Sequence, residues 1–135
     1  MLIPGFYTIK DFQVSENQVH AQISLNPNHD VYEGHFSGQP VVPGVIQLQI
    51  IKELMEKSVN EKLLLNRMVF AKYLRMIVPC TSPVLNLQIT YRMKESARVF
   101  TAVIKDDRFV FTKVKGSFIA QCTGDFSRRE LSDLS

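Results

Sequence analysis

Along Val19-His20-Ala21-Gln22-Ile23-Ser24-Leu25 every second side chain is apolar, the two-residue period of a strand with one buried face. A shorter alternation at Thr8-Ile9-Lys10-Asp11-Phe12 predicts a strand before it. Asn26-Pro27-Asn28-His29-Asp30 has turn composition, and three glycines and two prolines between Gly34 and Gly44 predict a long irregular loop. From Val45 to about Val59 the period becomes helical, with Pro43-Gly44 where a first turn tolerates a missing backbone donor. At about 100° per residue, Val45, Ile46, Leu48, Ile50, Ile51, Leu54 and Met55 cover more than half the circumference of this helix. Gln49, Lys52, Glu53 and Glu56 share the remainder, which predicts a helix largely wrapped by other structure. Beyond it, strands are predicted over 64–72, 84–93, 98–105 and 109–120, with Leu85, Leu87, Ile89 and Tyr91 alternating in the second and Asp106-Asp107 as a hairpin turn. Two strands, one long helix and four further strands describe an α+β fold in which an antiparallel sheet packs on a single helix.

A chain of 135 residues, 45% apolar, fits one domain spanning 1–135, with no repeat or low-complexity tract. A net charge of +3 permits an acidic partner but lacks the dense basic stripe of a nucleic-acid binder. Cys80 and Cys122 stand far apart in a chain large enough to build its own core, so no disulfide framework is expected and the compartment reads as reducing. The first residues carry no basic segment ahead of an apolar stretch, and no window approaches the ~20 apolar residues of a membrane span, which predicts a soluble cytoplasmic protein. His20, His29 and His35 are not at ligand spacing with one another or with a cysteine, so no metal is predicted, and no motif calls for a cofactor.

The segment richest in chemistry is Gly34-His35-Phe36-Ser37-Gly38-Gln39-Pro40-Val41-Val42-Pro43-Gly44-Val45. A histidine held in a Gly/Pro-stiffened loop supplies a base whose ordinary pKa lies near neutrality. The helix that follows offers free N–H groups and the positive end of its peptide dipoles near Gly44, suited to polarising a carbonyl oxygen. Together these groups fit removal of a proton α to a carbonyl.

The same twelve positions, Gly-His-Phe-x-Gly-x-Pro-Val-x-Pro-Gly-Val followed by an apolar helix, resemble the signature of the β-hydroxyacyl-ACP dehydratases. The resemblance extends more weakly through the strand pair before the loop, Val31-Tyr32-Glu33, and the segment from Lys72-Tyr73 to Pro79. It implies the hotdog fold, a homodimer with each acyl site at the subunit interface, further assembly into a trimer of dimers as an open expectation, and an acyl carrier protein as partner. His35 would remove the C2 proton of a 3-hydroxyacyl thioester and the Gly44 amide would hold the thioester oxygen. Phe36, Pro43, Val45 and Gln47 would contact substrate, and a carboxylate on the partner's helix would protonate the departing hydroxyl.

Here the chain departs from the pattern. Five residues after Gly44, where the family has Glu or Asp, stands Gln49, which cannot transfer a proton near neutral pH. Glu53 stands one turn later where the family usually has Gln, so acid and amide are exchanged. Glu53 reads either as a displaced acid reaching the acyl pocket or as part of a solvated Lys52-Glu53-Glu56-Lys57 face, paired with Lys57. One helical turn is about 5.4 Å, large against hydrogen-bond reach. Gln47, on the apolar side of the helix, reads as a substrate contact or as a buried amide with internal partners. Lys72, Arg75, Arg92, Lys94, Arg98, Arg128 and Arg129 form either a basic rim for an acidic carrier or a solvated surface. Three functions fit these residues: a dehydratase of 3-hydroxyacyl-ACP in fatty-acid or related synthesis, a thioesterase on the same scaffold with His35 or Glu53 directing a water, and a catalytically weakened acyl-carrier-binding subunit.

Overall fold

The computed structural model describes residues 4–32 and 40–121. Strands β1 (Tyr7–Ser15) and β2 (Gln18–Leu25) precede helix α1 (Gly44–Val59), and β3 (Leu63–Tyr73), β4 (Val84–Lys94), β5 (Ala97–Lys105) and β6 (Val110–Ala120) follow it. The strands form one six-stranded sheet in the order β1-β2-β4-β5-β6-β3, every neighbouring pair antiparallel. A one-turn 3-10 helix at Asp30–Tyr32, which the periodicity did not signal, leads toward the loop.

Alternation decides which face of the sheet meets the helix. Val19, Ala21, Ile23 and Leu25 of β2, Leu85, Leu87 and Ile89 of β4, and Phe100, Ala102 and Ile104 of β5 are buried with Ile50, Ile51, Leu54 and Met55 of α1. The helix touches β2 and β4 on one side and β3, the last strand, on the other, so the sheet curls around it. Two irregularities in the pairing of β3 with β6 accompany that curl, at Leu65/Arg67 and Met68/Phe70. Gly116 lies between them, where a Cβ would stand 2.5 Å from the Arg67 carbonyl oxygen. The helix ends where Asn60 adopts a left-handed conformation and donates its N–H to the Glu56 carbonyl at 2.8 Å, while the Glu56 carboxylate accepts the Leu63 N–H at 2.9 Å.

The wrapping of α1 is less complete than the apolar count predicts. Gln47, Ile50, Ile51, Leu54 and Met55 are buried, but Val45 remains 71% exposed. Edge strand β3 likewise leaves Leu64, Leu65, Met68 and Val69 facing solvent. Cys80 is a free, exposed thiol, and Cys122 lies outside the described residues.

Candidate active site at the start of the helix

The helix entry is built by the chain running into it. Val41 and Val42 are buried, and the Val42 N–H donates to the Ile77 carbonyl at 2.9 Å, tying the loop's end to the segment after β3. Pro43 is the N-cap in extended conformation, and its carbonyl accepts the Ile46 and Gln47 amides, each at 3.1 Å. Among the described residues no side chain caps this end. The N–H groups of Gly44 and Val45, which have no carbonyl of their own helix to bond, therefore stand at the positive end of the helix dipole.

Tyr73, at the end of β3, closes over this turn. Its hydroxyl donates to the Gly44 carbonyl at 3.3 Å, and a Cβ on residue 44 would come within 2.7 Å of its ring. A side chain at position 44 would therefore have to displace the Tyr73 ring. Burial pushes the Tyr73 phenol above its ordinary pKa, so it remains a donor near neutrality.

Gln47 is 3% exposed, and both ends of its amide bond within the protein: Nε2 donates to the Val42 carbonyl at 3.1 Å, and Oε1 accepts from the Thr112 hydroxyl at 2.5 Å. Internal hydrogen bonding, one of the two expectations for Gln47, is what these contacts show. The amide locks the helix start to β6.

Gln49 and Glu53 touch. Gln49 Nε2 donates to Glu53 Oε2 at 3.0 Å, and the Tyr7 hydroxyl donates to Glu53 Oε1 at 2.8 Å. Side-chain length closes the one-turn offset between the two positions. Lys57, expected as a partner of Glu53, places its ammonium over the Phe12 ring, 5.4 Å from the centroid. Burial, the bond to Glu53 and the charge of that carboxylate push the Tyr7 phenol far above its ordinary range, so Tyr7 acts as a donor.

Two depressions flank this pair. A groove of about 250 Å³ with Val45, Leu48, Gln49 and Lys52 on one wall and Leu65, Phe100 and Phe118 on the other is predominantly apolar. The two rings are stacked, 4.6 Å between centroids. A polar cleft of about 550 Å³ holds Glu53 with Glu56, Lys57, Asn60, Glu61 and Lys62. Gln49 lines the first and Glu53 the second, and the hydrogen bond between them joins the two.

His35 and Phe36 lie outside the described residues, as do Arg128 and Arg129 of the basic rim. Among the other basic residues, Arg98 is paired with Glu61 at 2.6 Å, Arg75 stacks on Phe109 at 3.8 Å and Lys72 sits over Phe70 at 5.0 Å. Sequence reasoning missed Tyr7, Thr112 and the role of Tyr73. Tyr73 stood within the weaker part of the family resemblance, whereas Tyr7 precedes any periodic signal and meets the helix only through the fold.

A family model described as ApeI dehydratase matches residues 11–113. The chain is 32% identical over 69 residues to the 3-hydroxyacyl-[acyl-carrier-protein] dehydratase FabZ of Clostridium acetobutylicum. That match covers 46% of this chain and 48% of the relative, so the chain spans about half the length of the curated protein it matches. Among solved structures, the dehydratase heterocomplex ApeI:P from Xenorhabdus doucetiae superposes with a TM-score of 0.67 at 19% identity, covering 83% of this chain and 96% of that one. A Lactococcus lactis structure described as a thioesterase candidate, yhdA, superposes with a TM-score of 0.64 at 13% identity, covering 92% and 98%. These likenesses establish the curled sheet around one helix as the hotdog fold. With the family match running from β1 into β6 across the helix entry, the chain belongs to the ApeI-like dehydratase family.

Proposed function

We propose that the protein is a dehydratase of 3-hydroxyacyl thioesters carried on acyl carrier protein in fatty-acid or related acyl-chain synthesis. In this reading the His35 imidazole takes the C2 proton, and the N–H of Gly44 stabilises the negative charge that develops on the thioester oxygen. The electron pair left at C2 forms the C2–C3 double bond as the C3–O bond breaks. Glu53 of the second subunit, in its carboxylic acid form, gives its proton to the departing hydroxyl, which leaves as water. The acyl chain lies in the apolar groove beside Gln49. The observation that carries the reading is the Gln49–Glu53 contact: the chain's carboxyl group stands 3.0 Å from the side-chain nitrogen of the residue that occupies the family's acid position.

A thioesterase is the second reading. A carboxylate that accepts two hydrogen bonds is favoured as the anion, the form that activates a water for attack on the thioester. In either reading the apolar residues left open on β3 and at Val45 support a homodimer with the sites at its interface, and the net charge of +3 supports docking of an acidic carrier.

Incubating the purified protein with a 3-hydroxyacyl-ACP and with the saturated acyl-ACP, and following water loss and free thiol separately, distinguishes the readings. Dehydration is expected, with His35→Ala losing it and Glu53→Gln lowering it by about 10²-fold or more. Thiol release in place of dehydration supports the thioesterase. Carrier binding with neither reaction identifies a non-catalytic binding subunit, and unchanged rates in both variants refute the assigned roles.

A further inference from the structure

The bond from Tyr7 to Glu53 joins residues 46 positions apart and has no counterpart in the motif around the helix entry. Tyr7 opens β1, is 4% exposed, and pairs in register with Leu25 of β2. Its neighbour Phe6 packs on Tyr32, the centroids 5.6 Å apart, and Tyr32 is the last described residue before the segment that contains His35. The start of β1 thus holds both Glu53 of the helix and Tyr32.

Each oxygen of the Glu53 carboxylate has a donor, Tyr7 on Oε1 and Gln49 on Oε2. A free carboxylate turns easily about its last torsion, and two donors from different elements fix its plane. We propose that Tyr7 is a positioning residue which, with Gln49, orients the Glu53 carboxyl for proton transfer in the reaction of this site. The inference rests on the reading of Glu53 as the proton-transferring acid. Buried, and raised in pKa by the adjacent carboxylate, the phenol stays protonated and donates throughout the neutral range. Glu56, Lys57, Glu61 and Lys62 also face Glu53 across the polar cleft. Tyr7→Phe changes none of their charges, so its effect isolates the lost hydrogen bond.

The test compares kcat, KM and the pH profile of wild type, Tyr7→Phe, Glu53→Gln and the double variant on the 3-hydroxyacyl-ACP substrate. Tyr7→Phe is expected to lower kcat about tenfold with KM changed less than about twofold. The limb of the pH profile that Glu53→Gln abolishes should move up by about one pH unit, because losing a donor disfavours the anion. In the Glu53→Gln background Tyr7→Phe should have no further effect. Should Tyr7→Phe fail to fold, site-specific 3-fluorotyrosine at position 7 preserves shape, strengthens the donor and is expected to move the same limb downward. If Glu53→Gln is inactive while Tyr7→Phe and the fluorinated protein keep the wild-type profile, the positioning role is overturned and the acid reading stands. Full activity in Glu53→Gln, or a wild type that dehydrates nothing, overturns both.

Discussion

At the scale of single residues, the helix entry depends on matched pairs of side chain and space. Gly44 has no Cβ because Tyr73 occupies its place, 2.7 Å away. The ring is 46% exposed and can swing aside, so the conflict belongs to Tyr73 rather than to the backbone. Gly44→Ala is therefore expected to destabilise the wild type by about 1 kcal/mol. In a Tyr73→Ala background the same change should stabilise by a few tenths of a kcal/mol, since alanine favours the helix. Urea unfolding of the four proteins reads the change of sign, and equal effects in both backgrounds would show that the ring sets no limit at position 44. The glycine was visible in the motif, but its packing partner, 29 residues away, was not.

Elements owe their boundaries to local chemistry, and here the sequence was most legible. The β5–β6 hairpin turns at Asp106, as its composition predicted, and the reason is specific. Asp106 Oδ1 accepts the Arg108 and Phe109 amides, each at 2.8 Å, and the Asp106 N–H donates to the Phe109 carbonyl at 3.0 Å. Burial pulls the carboxyl pKa upward, but those two amides, the Ser82 hydroxyl and the Arg108 charge outweigh it and hold the value below the ordinary 3.8. A depressed folded-state pKa means stability that is present above the unfolded value and lost as pH falls through the folded one. Asp106→Asn should lower the melting temperature at neutral pH and flatten its decline below about pH 4, with the two curves converging in acid. Parallel curves would remove the carboxylate from the account of this turn. The irregularities of β3 and the short 3-10 helix were not legible, because no local period marks them.

For the whole molecule, a helix that one copy wraps only in part leaves apolar surface for a second chain to cover. β3 is an edge strand of 11 residues, and Val69 is 49% exposed along it. Long apolar edges pair with other chains unless charge or proline blunts them. If β3 lies in the proposed homodimer interface, the wild type sediments as a dimer at micromolar concentration, and Val69→Lys shifts it to monomer while the circular dichroism of the fold persists. Dimers of undiminished affinity in that variant would place the interface elsewhere.

Periodicity, turn composition and the unbroken string from Gly34 to Val45 by themselves determined the α+β architecture, the element order and the family, because these properties are local and accumulate along consecutive residues. The family resemblance also raised the expectation that acid and amide are exchanged at positions 49 and 53. Only the tertiary structure decided that Gln47 is engaged within the protein, that Glu53 reaches back to Gln49, and that a tyrosine from the first strand holds the same carboxylate. Those outcomes depend on side chains from separate elements meeting within hydrogen-bond distance, and such meetings are set by how the sheet curls around the helix, which no window of sequence contains.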